Sequence, residues 1–133
     1  MTLIEGEAGR ADLLKLSAPI SFWGGVDPAT GTIIDVRHPQ HGECVAGRLL
    51  ALPGAIGSSS SSSVLLELPR VGKAPAAILM VEPDAILMLG LVVAREMGWT
   101  GPPAARMAAQ DFASLEPGCY AFDRQGRLET CDA

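Results

Sequence analysis

The sequence predicts an α+β fold in which short strands form a compact β-barrel-like core and two main helices pack on it. Apolar residues make up 48% of the 133 residues and charged residues 19%, which is the composition of a globular protein, here one domain over residues 1–133. Most apolar runs have only strand length. Strands and helices do not alternate regularly along the chain, which argues against a doubly wound parallel sheet.

The predicted strands are short segments rich in β-branched or apolar residues, bounded by turn-forming residues. The run at 76–81 is apolar throughout, as in a strand buried on both faces. A Gly-containing turn at 123–126 predicts a hairpin between the last two strands. Strands are predicted at 3–8, 13–17, 32–36, 44–52, 76–81, 104–107, 119–122 and 127–130, a loop at 22–31, and a single helical turn at 110–115.

Two longer segments predict the main helices. The first covers about 60–68 and stops near Pro69, which cannot continue a helix. The second covers about 84–97, with Asp84 at its start, where the helix dipole favours an acid. Gly98 ends it, because glycine readily adopts the left-handed conformation of a helix C-terminus.

Charge and cysteine content exclude several classes of function. The net charge is −5 and the ten Lys and Arg residues are scattered, so nucleic acids and anionic membrane surfaces are poor partners. The N-terminus has no signal-peptide pattern, and the longest apolar stretch, 85–94, is too short to span a bilayer. Cys44, Cys119 and Cys131 form no C-x-x-C pair. We therefore expect a soluble cytoplasmic protein with three reduced thiols.

Six consecutive serines, 58–63, separate an apolar segment from the first predicted helix. Such a run is typical of a flexible linker, or of serines that cap a helix. A strand, a glycine turn and small hydroxyl residues opening a helix also suit an anion or a reactive oxygen. Ile56 lies two residues before Ser58, so the G-x-S-x-G pattern of many hydrolases is missing.

Other candidate groups leave alternatives open. His38, His41 and Cys44 are spaced three apart, but intervening turn formers favour a turn with exposed histidines over a zinc site. His38 could still contact a substrate. The aromatic pair at 22–23 is either a contact for a partner or substrate, or an anchor in the core. Glu82 follows a buried-strand candidate, where side chains often line a site, or it is simply solvated.

One long segment resembles a known family. In order, it reads F-W-G-G-V-D-P at 22–28, G at 31, I-D at 34–35, H-P at 38–39, G at 47, G-S-S at 57–59, K-A-P at 73–75 and E-P at 82–83. This order closely resembles the small subunit of the aconitase X family. The likeness covers most of the chain, and the first block together with G-S-S is far more specific than any single motif.

The resemblance implies a swivelling β/β/α domain that pairs with a larger aconitase X subunit. That large subunit would hold an iron or iron–sulfur group, and this chain would hold no metal. Ser58 would be the proton acceptor in a dehydration. Ser59 and Ser62 would donate hydrogen bonds to a substrate carboxylate or phosphate, and Gly57 and His38 complete the implied substrate-binding residues.

The family has two substrate classes, 5-phosphomevalonate in archaeal relatives and cis-3-hydroxy-L-proline in bacterial ones. This chain has Ile56 where relatives carry an arginine in the serine turn, which fits a small hydroxy acid without a phosphate. Arginine outnumbers lysine eight to two, a composition that resembles that of bacterial proteins. We therefore expect a cis-3-hydroxy-L-proline dehydratase subunit. The alternatives are a phosphomevalonate dehydratase subunit and a non-catalytic swivel module that closes over a partner's active site.

Overall fold

The computed structural model describes residues 2–56, 59–99 and 101–131, apart from the side chain of Ser59. Within these residues it has seven strands and four helices. In chain order they are β1 (Thr2–Ile4), β2 (Gly9–Lys15), α1 (Phe22–Gly25), β3 (Leu49–Leu52), α2 (Ser59–Arg70), β4 (Ala77–Met80), α3 (Ala85–Glu96), β5 (Ala104–Arg106), α4 (Ala109–Ser114), β6 (Cys119–Phe122) and β7 (Leu128–Thr130).

The strands form one mixed sheet in the order β1-β5-β4-β3-β2-β6-β7, curved into a half-barrel. The four central strands β5, β4, β3 and β2 are parallel neighbours, whereas β1, β6 and β7 pair antiparallel at the two sides. The predicted α+β class with two main helices is confirmed, since α2 and α3 each have 12 residues.

Strands and helices do alternate from β3 to β5, contrary to the expectation for the whole chain. Parallel strands cannot be joined by a tight turn, so α2 and α3 serve as the crossover connections. Each of these five elements was predicted separately, but the elements before β3 and after β5 do not continue the alternation, so the chain as a whole did not show it.

Two apolar layers cover the sheet. Every residue of β3 and β4 is buried, because alternate side chains of these central strands enter one layer or the other. On one face the sheet packs against α1, α2 and α3, and on the other against α4. The carboxyl ends of the parallel strands therefore lie beside the first residues of α2 and α3.

The predicted start of the second main helix is confirmed. The Asp84 carboxylate accepts hydrogen bonds from the backbone N–H groups of Ile86 at 2.9 Å and Leu87 at 3.1 Å. It thereby satisfies two of the donors that a helix leaves unpaired at its first turn.

The two main helices approach each other closely at Gly90. A Cβ atom built on Gly90 would lie 2.3 Å from the carbonyl oxygen of Ser62 and 3.1 Å from the backbone nitrogen of Leu66. Glycine is required there because any larger residue would push α2 away from α3. The first turns of α2 are thereby fixed against α3.

The prediction of a strand at 32–36 is wrong. Only isolated bridges form, between Val26 and Ile33 and between Thr32 and Cys44. Ile33 is fully buried but Val36 is 77% exposed, so the segment has no continuous sheet neighbour. The β-branched residues of this segment bury one side chain, Ile33, in the core without forming a strand, because tertiary packing overrides β-propensity here.

Other boundaries moved for local reasons. The strand predicted at 44–52 shrinks to β3, because Gly47 has a φ of 68° and cannot lie in an extended strand. The segment predicted as a loop contains α1, which is a kinked turn and not a regular helix, because Trp23 (φ −72°, ψ 116°) and Gly24 (φ 77°, ψ −11°) have non-helical backbone angles. The Val26 N–H donates to the Phe22 carbonyl across it. Helix α2 runs through Pro69 to Arg70, which its last turn tolerates.

Cys119 and Cys131 form a disulfide, so the prediction of three reduced thiols is wrong for these two residues. The hairpin of β6 and β7 brings their Cα atoms to 5.5 Å, within the range that a disulfide spans. Cys44 remains a thiol and donates to the Thr30 carbonyl. The cytoplasmic location stays a prediction. Of the three cysteines on which it was partly based, only Cys44 is a free thiol.

In the part of the chain that the structure describes, none of the helices combines the length and the apolar character needed to cross a membrane.

Candidate active site

The predicted proton acceptor sits in a short gap of the described chain. Gly57 and Ser58 lie outside the described residues. On one side the described chain ends at Ile56, and on the other it resumes at Ser59, the first residue of α2. Ser58 is therefore the residue that immediately precedes α2 in the sequence.

The described residues before this gap lie at the carboxyl edge of the parallel strands. The loops that leave β3 and β4 lie side by side, since the Val81 N–H donates to the Leu52 carbonyl and the Glu82 N–H to the Pro53 carbonyl. Gly54 is buried within contact of the Glu82 side chain. In open sheets with parallel strands, ligands bind in the crevice outside this edge.

The first turn of α2 carries positive polarity. The helix has 12 residues and no acidic residue in its first turn. The helix dipole therefore favours a negatively charged oxygen or ligand at this end. At the other end, the Arg70 guanidinium hydrogen-bonds to Glu67 and lowers the pKa of that exposed carboxyl.

A buried serine ties this turn to α1. Ser61 is 0% exposed, and its Oγ accepts a hydrogen bond from the Trp23 N–H at 3.3 Å. The Ser61 and Ser21 hydroxyls lie 3.5 Å apart, and the Ser21 hydroxyl donates to the Trp23 carbonyl at 3.0 Å. Because the Ser21 proton is used there, Ser61 is the donor between the two hydroxyls. The pair holds α1 against the start of α2.

Replacing Ser61 by Ala is expected to lower the free energy of unfolding by about 1–3 kcal/mol. The change removes the acceptor of the Trp23 N–H and leaves a partly buried donor without a partner. Urea unfolding measures the loss. Glu96→Ala, at an exposed position of α3, is the control and should change stability by less than about 0.5 kcal/mol. Equal stability of both variants would contradict a structural role for Ser61.

The other predicted serines belong to the same helix end. Ser59 is the first residue of α2, and its side chain is not among those described. Ser62 is partly buried one turn later, so it lies on the same helix face as Ser59. Its carbonyl oxygen is the atom closest to Gly90 of α3. The structure thus places Ser61 and Ser62 in the first turn of α2, the helix that Ser58 precedes in the sequence.

His38 is buried rather than exposed, which corrects the prediction of two exposed histidines in this turn; His41 is exposed as predicted. Its Nδ1 accepts from the Gln40 N–H at 3.0 Å, so its proton is on Nε2, which donates to the Ala18 carbonyl at 3.0 Å. The Nδ1 bond stabilises the turn itself, and the Nε2 bond holds the turn to the loop that contains Ala18. A direct contact of His38 with substrate stays a prediction, and it would require one of these bonds to be exchanged.

The two aromatic residues of α1 separate into different roles. Phe22 is fully buried in the apolar layer, whereas the Trp23 side chain is 63% exposed. The sequence left both alternatives open for the pair, and in the structure Phe22 lies in the core and Trp23 at the surface.

Sequence reasoning missed Ser61 because nothing in a run of six serines indicates which one is buried.

The described residues do not fit an iron centre. Among residues 2–56, 59–99 and 101–131, no three His, Cys, Asp or Glu side chains come together to hold a metal ion. Cys119 and Cys131 are bonded to each other, and Cys44 is engaged with Thr30. No step of chemistry through iron is therefore derived for this chain.

Comparisons with known proteins identify the family. A family model described as the aconitase X swivel domain matches residues 1–125. The chain is 48% identical over 128 residues to cis-3-hydroxy-L-proline dehydratase of Pseudomonas aeruginosa, covering 96% of this chain but only 22% of that protein. It therefore spans about a fifth of that relative's length. The phosphomevalonate dehydratase small subunit of Methanothermobacter thermautotrophicus is 41% identical over 107 residues, covering 80% of this chain and 77% of that protein.

A solved structure agrees with these sequence matches. The crystal structure of Thermococcus kodakaraensis aconitase X in its holo-form superposes with a TM-score of 0.80 and 28% identity, covering 96% of this chain and 93% of the matched chain. The predicted resemblance, carried by the blocks at 22–28 and 57–59, is confirmed. The chain belongs to the aconitase X swivel domain family.

Proposed function

We propose that this chain is the swivel part of an aconitase X-type hydro-lyase that dehydrates cis-3-hydroxy-L-proline. The observation that carries the proposal is the 48% identity, over 96% of this chain, to a protein named for that reaction. Ile56 supports the same substrate class, because the serine turn lacks an adjacent arginine that would pair with a phosphate group.

The proposed partner is the large aconitase X subunit, which completes the active site and holds the iron or iron–sulfur group. Most of the length of the Pseudomonas aeruginosa relative lies outside the match, and other relatives are named as small subunits. The described residues of this chain do not fit a metal centre, which supports placing the iron on the partner.

Within this complex, Ser58 is proposed to accept the proton from the carbon that bears the substrate carboxylate. The hydroxyl group at the neighbouring carbon then leaves as hydroxide and a carbon–carbon double bond forms. The hydroxide takes the proton from the Ser58 hydroxyl, which gives water as the second product and restores the serine base. The proposed base is the Ser58 alkoxide, because a neutral serine hydroxyl is too weak a base in water. The positive end of α2 is proposed to stabilise the negative charge on this oxygen.

The substrate carboxylate is proposed to bind at the same helix end. The backbone N–H of Gly57 and the hydroxyls of Ser59 and Ser62 are the proposed donors, since carboxylates bind well where helix N–H groups are unpaired. The fixed contact of Ser62 with α3 supports this role because it holds the first turn of α2 at a defined place.

A second candidate substrate is 5-phosphomevalonate. It is favoured by the 41% identity to a protein named as a phosphomevalonate dehydratase small subunit, 77% of which this chain covers. The same helix end would then hold a phosphate, although without the arginine that Ile56 replaces.

The assembled enzyme is expected to prefer cis-3-hydroxy-L-proline over 5-phosphomevalonate by at least ~10³-fold in kcat/KM, because a site built for one set of polar groups rejects a substrate that leaves them unpaired. Steady-state assays of the complex with each compound measure the ratio. trans-3-Hydroxy-L-proline is the control, since its leaving group lies on the opposite face of the ring. A reversed preference would assign the chain to the phosphomevalonate reaction.

A further inference from the structure

Three apolar side chains near the start of α2 face solvent. Trp23 is 63% exposed, Ile56 64% and Ile34 46%. We call these three residues the apolar rim. Single exposed apolar residues are ordinary on a protein surface, but several that lie on adjacent segments of the chain can mark an interaction surface.

Backbone hydrogen bonds bring the apolar rim together. The segment 20–25 lies between the two others, since the Ile56 N–H donates to the Ile20 carbonyl at 2.9 Å and the Ile34 N–H to the Gly25 carbonyl at 2.8 Å. Trp23 is in the middle of this segment. The rim is thus built from three adjacent stretches of backbone, and Ile56 is only two residues from Ser58.

The main chain of Trp23 is held by hydrogen bonds, whereas its side chain is exposed to solvent. Its N–H donates to Ser61 and its carbonyl accepts from Ser21. Phe22 beside it is fully buried, and Gly24 turns the chain with a φ of 77°. A tryptophan already fixed in position loses little conformational freedom on binding, and tryptophan is among the residues most enriched in interface hot spots.

We propose that the apolar rim is the docking surface for the large aconitase X subunit, with Trp23 as its central anchor. This inference rests on the proposed function, because that subunit must reach Ser58 to complete the active site. The match to only 22% of the Pseudomonas aeruginosa dehydratase leaves a much larger body of polypeptide to cover the swivel domain there. The rim is also bonded through Ser61 to the helix end that the partner must enclose.

A second exposed apolar surface serves as the comparison. The outer side of α3 exposes Ile86, Leu89 and Met97 to between 50% and 59%. None of the hydrogen bonds described above connects this surface to the serine turn. Its side chains are apolar and similarly exposed, so a substitution there tests whether the loss of any exposed apolar side chain weakens binding of the large subunit.

Tryptophan fluorescence provides a first test. The chain has two tryptophans, so in a Trp99→Phe variant all tryptophan fluorescence of this chain comes from Trp23. The probe is the cognate large aconitase X subunit from the same organism, and complex formation is followed by sedimentation velocity. We expect Trp23 emission to shift to shorter wavelength as the complex forms. A sedimenting complex with unchanged emission overturns the proposal, and so does a Trp23 buried in a dimer of this chain alone.

Affinity provides the second test. Trp23→Ala should weaken binding of the large subunit at least ~30-fold, as expected of a hot-spot residue. Leu89→Ala, on α3, should change the affinity by less than ~3-fold. The reverse pattern would place the interface on α3 and overturn the proposal. Thermal unfolding of both variants by circular dichroism shows whether each remains folded.

The outcome for docking is separable from that for the proposed function. A complex that turns over cis-3-hydroxy-L-proline while Trp23 stays exposed overturns the docking surface and leaves the function standing. A complex that buries Trp23 but dehydrates neither proposed substrate overturns the function and leaves the docking surface. Failure of the wild-type chain to bind the large subunit overturns both.

Discussion

Replacing Ser58 by Ala is expected to lower kcat of the assembled enzyme by roughly 10³- to 10⁴-fold, because a positioned group that takes a proton in the transition state contributes on this scale. The substitution removes only the oxygen proposed to receive the proton. The positive end of α2, the neighbouring serines and the surface around them stay in place. Steady-state turnover of cis-3-hydroxy-L-proline by the complex measures the effect.

Two controls keep the Ser58 result interpretable. Affinity for the large subunit should be unchanged in Ser58→Ala, so that lost turnover cannot be ascribed to lost assembly. Ser63→Ala, on an exposed side of α2, should keep turnover within ~3-fold of the wild type. Near-normal turnover of Ser58→Ala in an intact complex would refute the serine base and favour a swivel module that only closes over its partner's site.

Replacing Gly90 by Ala is expected to lower the free energy of unfolding by about 2 kcal/mol. The new methyl group would lie 2.3 Å from the Ser62 carbonyl oxygen, and a backbone atom cannot move aside as a flexible side chain can. Overpacking of this kind costs about 3 kcal/mol at the upper end of its usual range. The higher helix propensity of alanine returns about 1 kcal/mol of that.

Urea unfolding measures the Gly90 effect as a lower midpoint with an unchanged slope. Gly101→Ala is the matched control, because a Cβ atom there would meet nothing within 4 Å. It should alter stability by less than about 0.5 kcal/mol. If Gly90→Ala were as stable as the wild type, α2 and α3 would have to be farther apart than the structure places them.

The elements that could be predicted are those with strong local signals. Helix α3 carries an acidic N-cap at Asp84 and a glycine with positive φ at Gly98, and both features act within a few residues. Strand β4 was recognisable as an apolar run, and the hairpin of β6 and β7 from the turn at Gly126. Elements fixed by distant partners were not predictable: Ile33 is buried by tertiary packing, and the segment around it joins no strand of the sheet.

The candidate site shows the same division. Helix-start chemistry predicted that a helix begins within the serine run, as α2 does, whereas the role of Ser58 rests on the resemblance and stays a prediction. The identity of the buried serine did not, because Ser61 differs from its neighbours only in what packs around it. Likewise, the exposure of Trp23 and the burial of Phe22 depend on which side of one helical turn meets the sheet. The disulfide of Cys119 and Cys131 depends on strand pairing.

The pairing of β2 with β6 has a consequence for synthesis in the cell. Gly9 is matched with Phe122, so a growing polypeptide releases β2 long before its neighbour on that side exists. Until then the nascent chain presents an open strand edge, which invites association with other chains. This edge of β2 is therefore unpaired until the ribosome has synthesised the residues of β6.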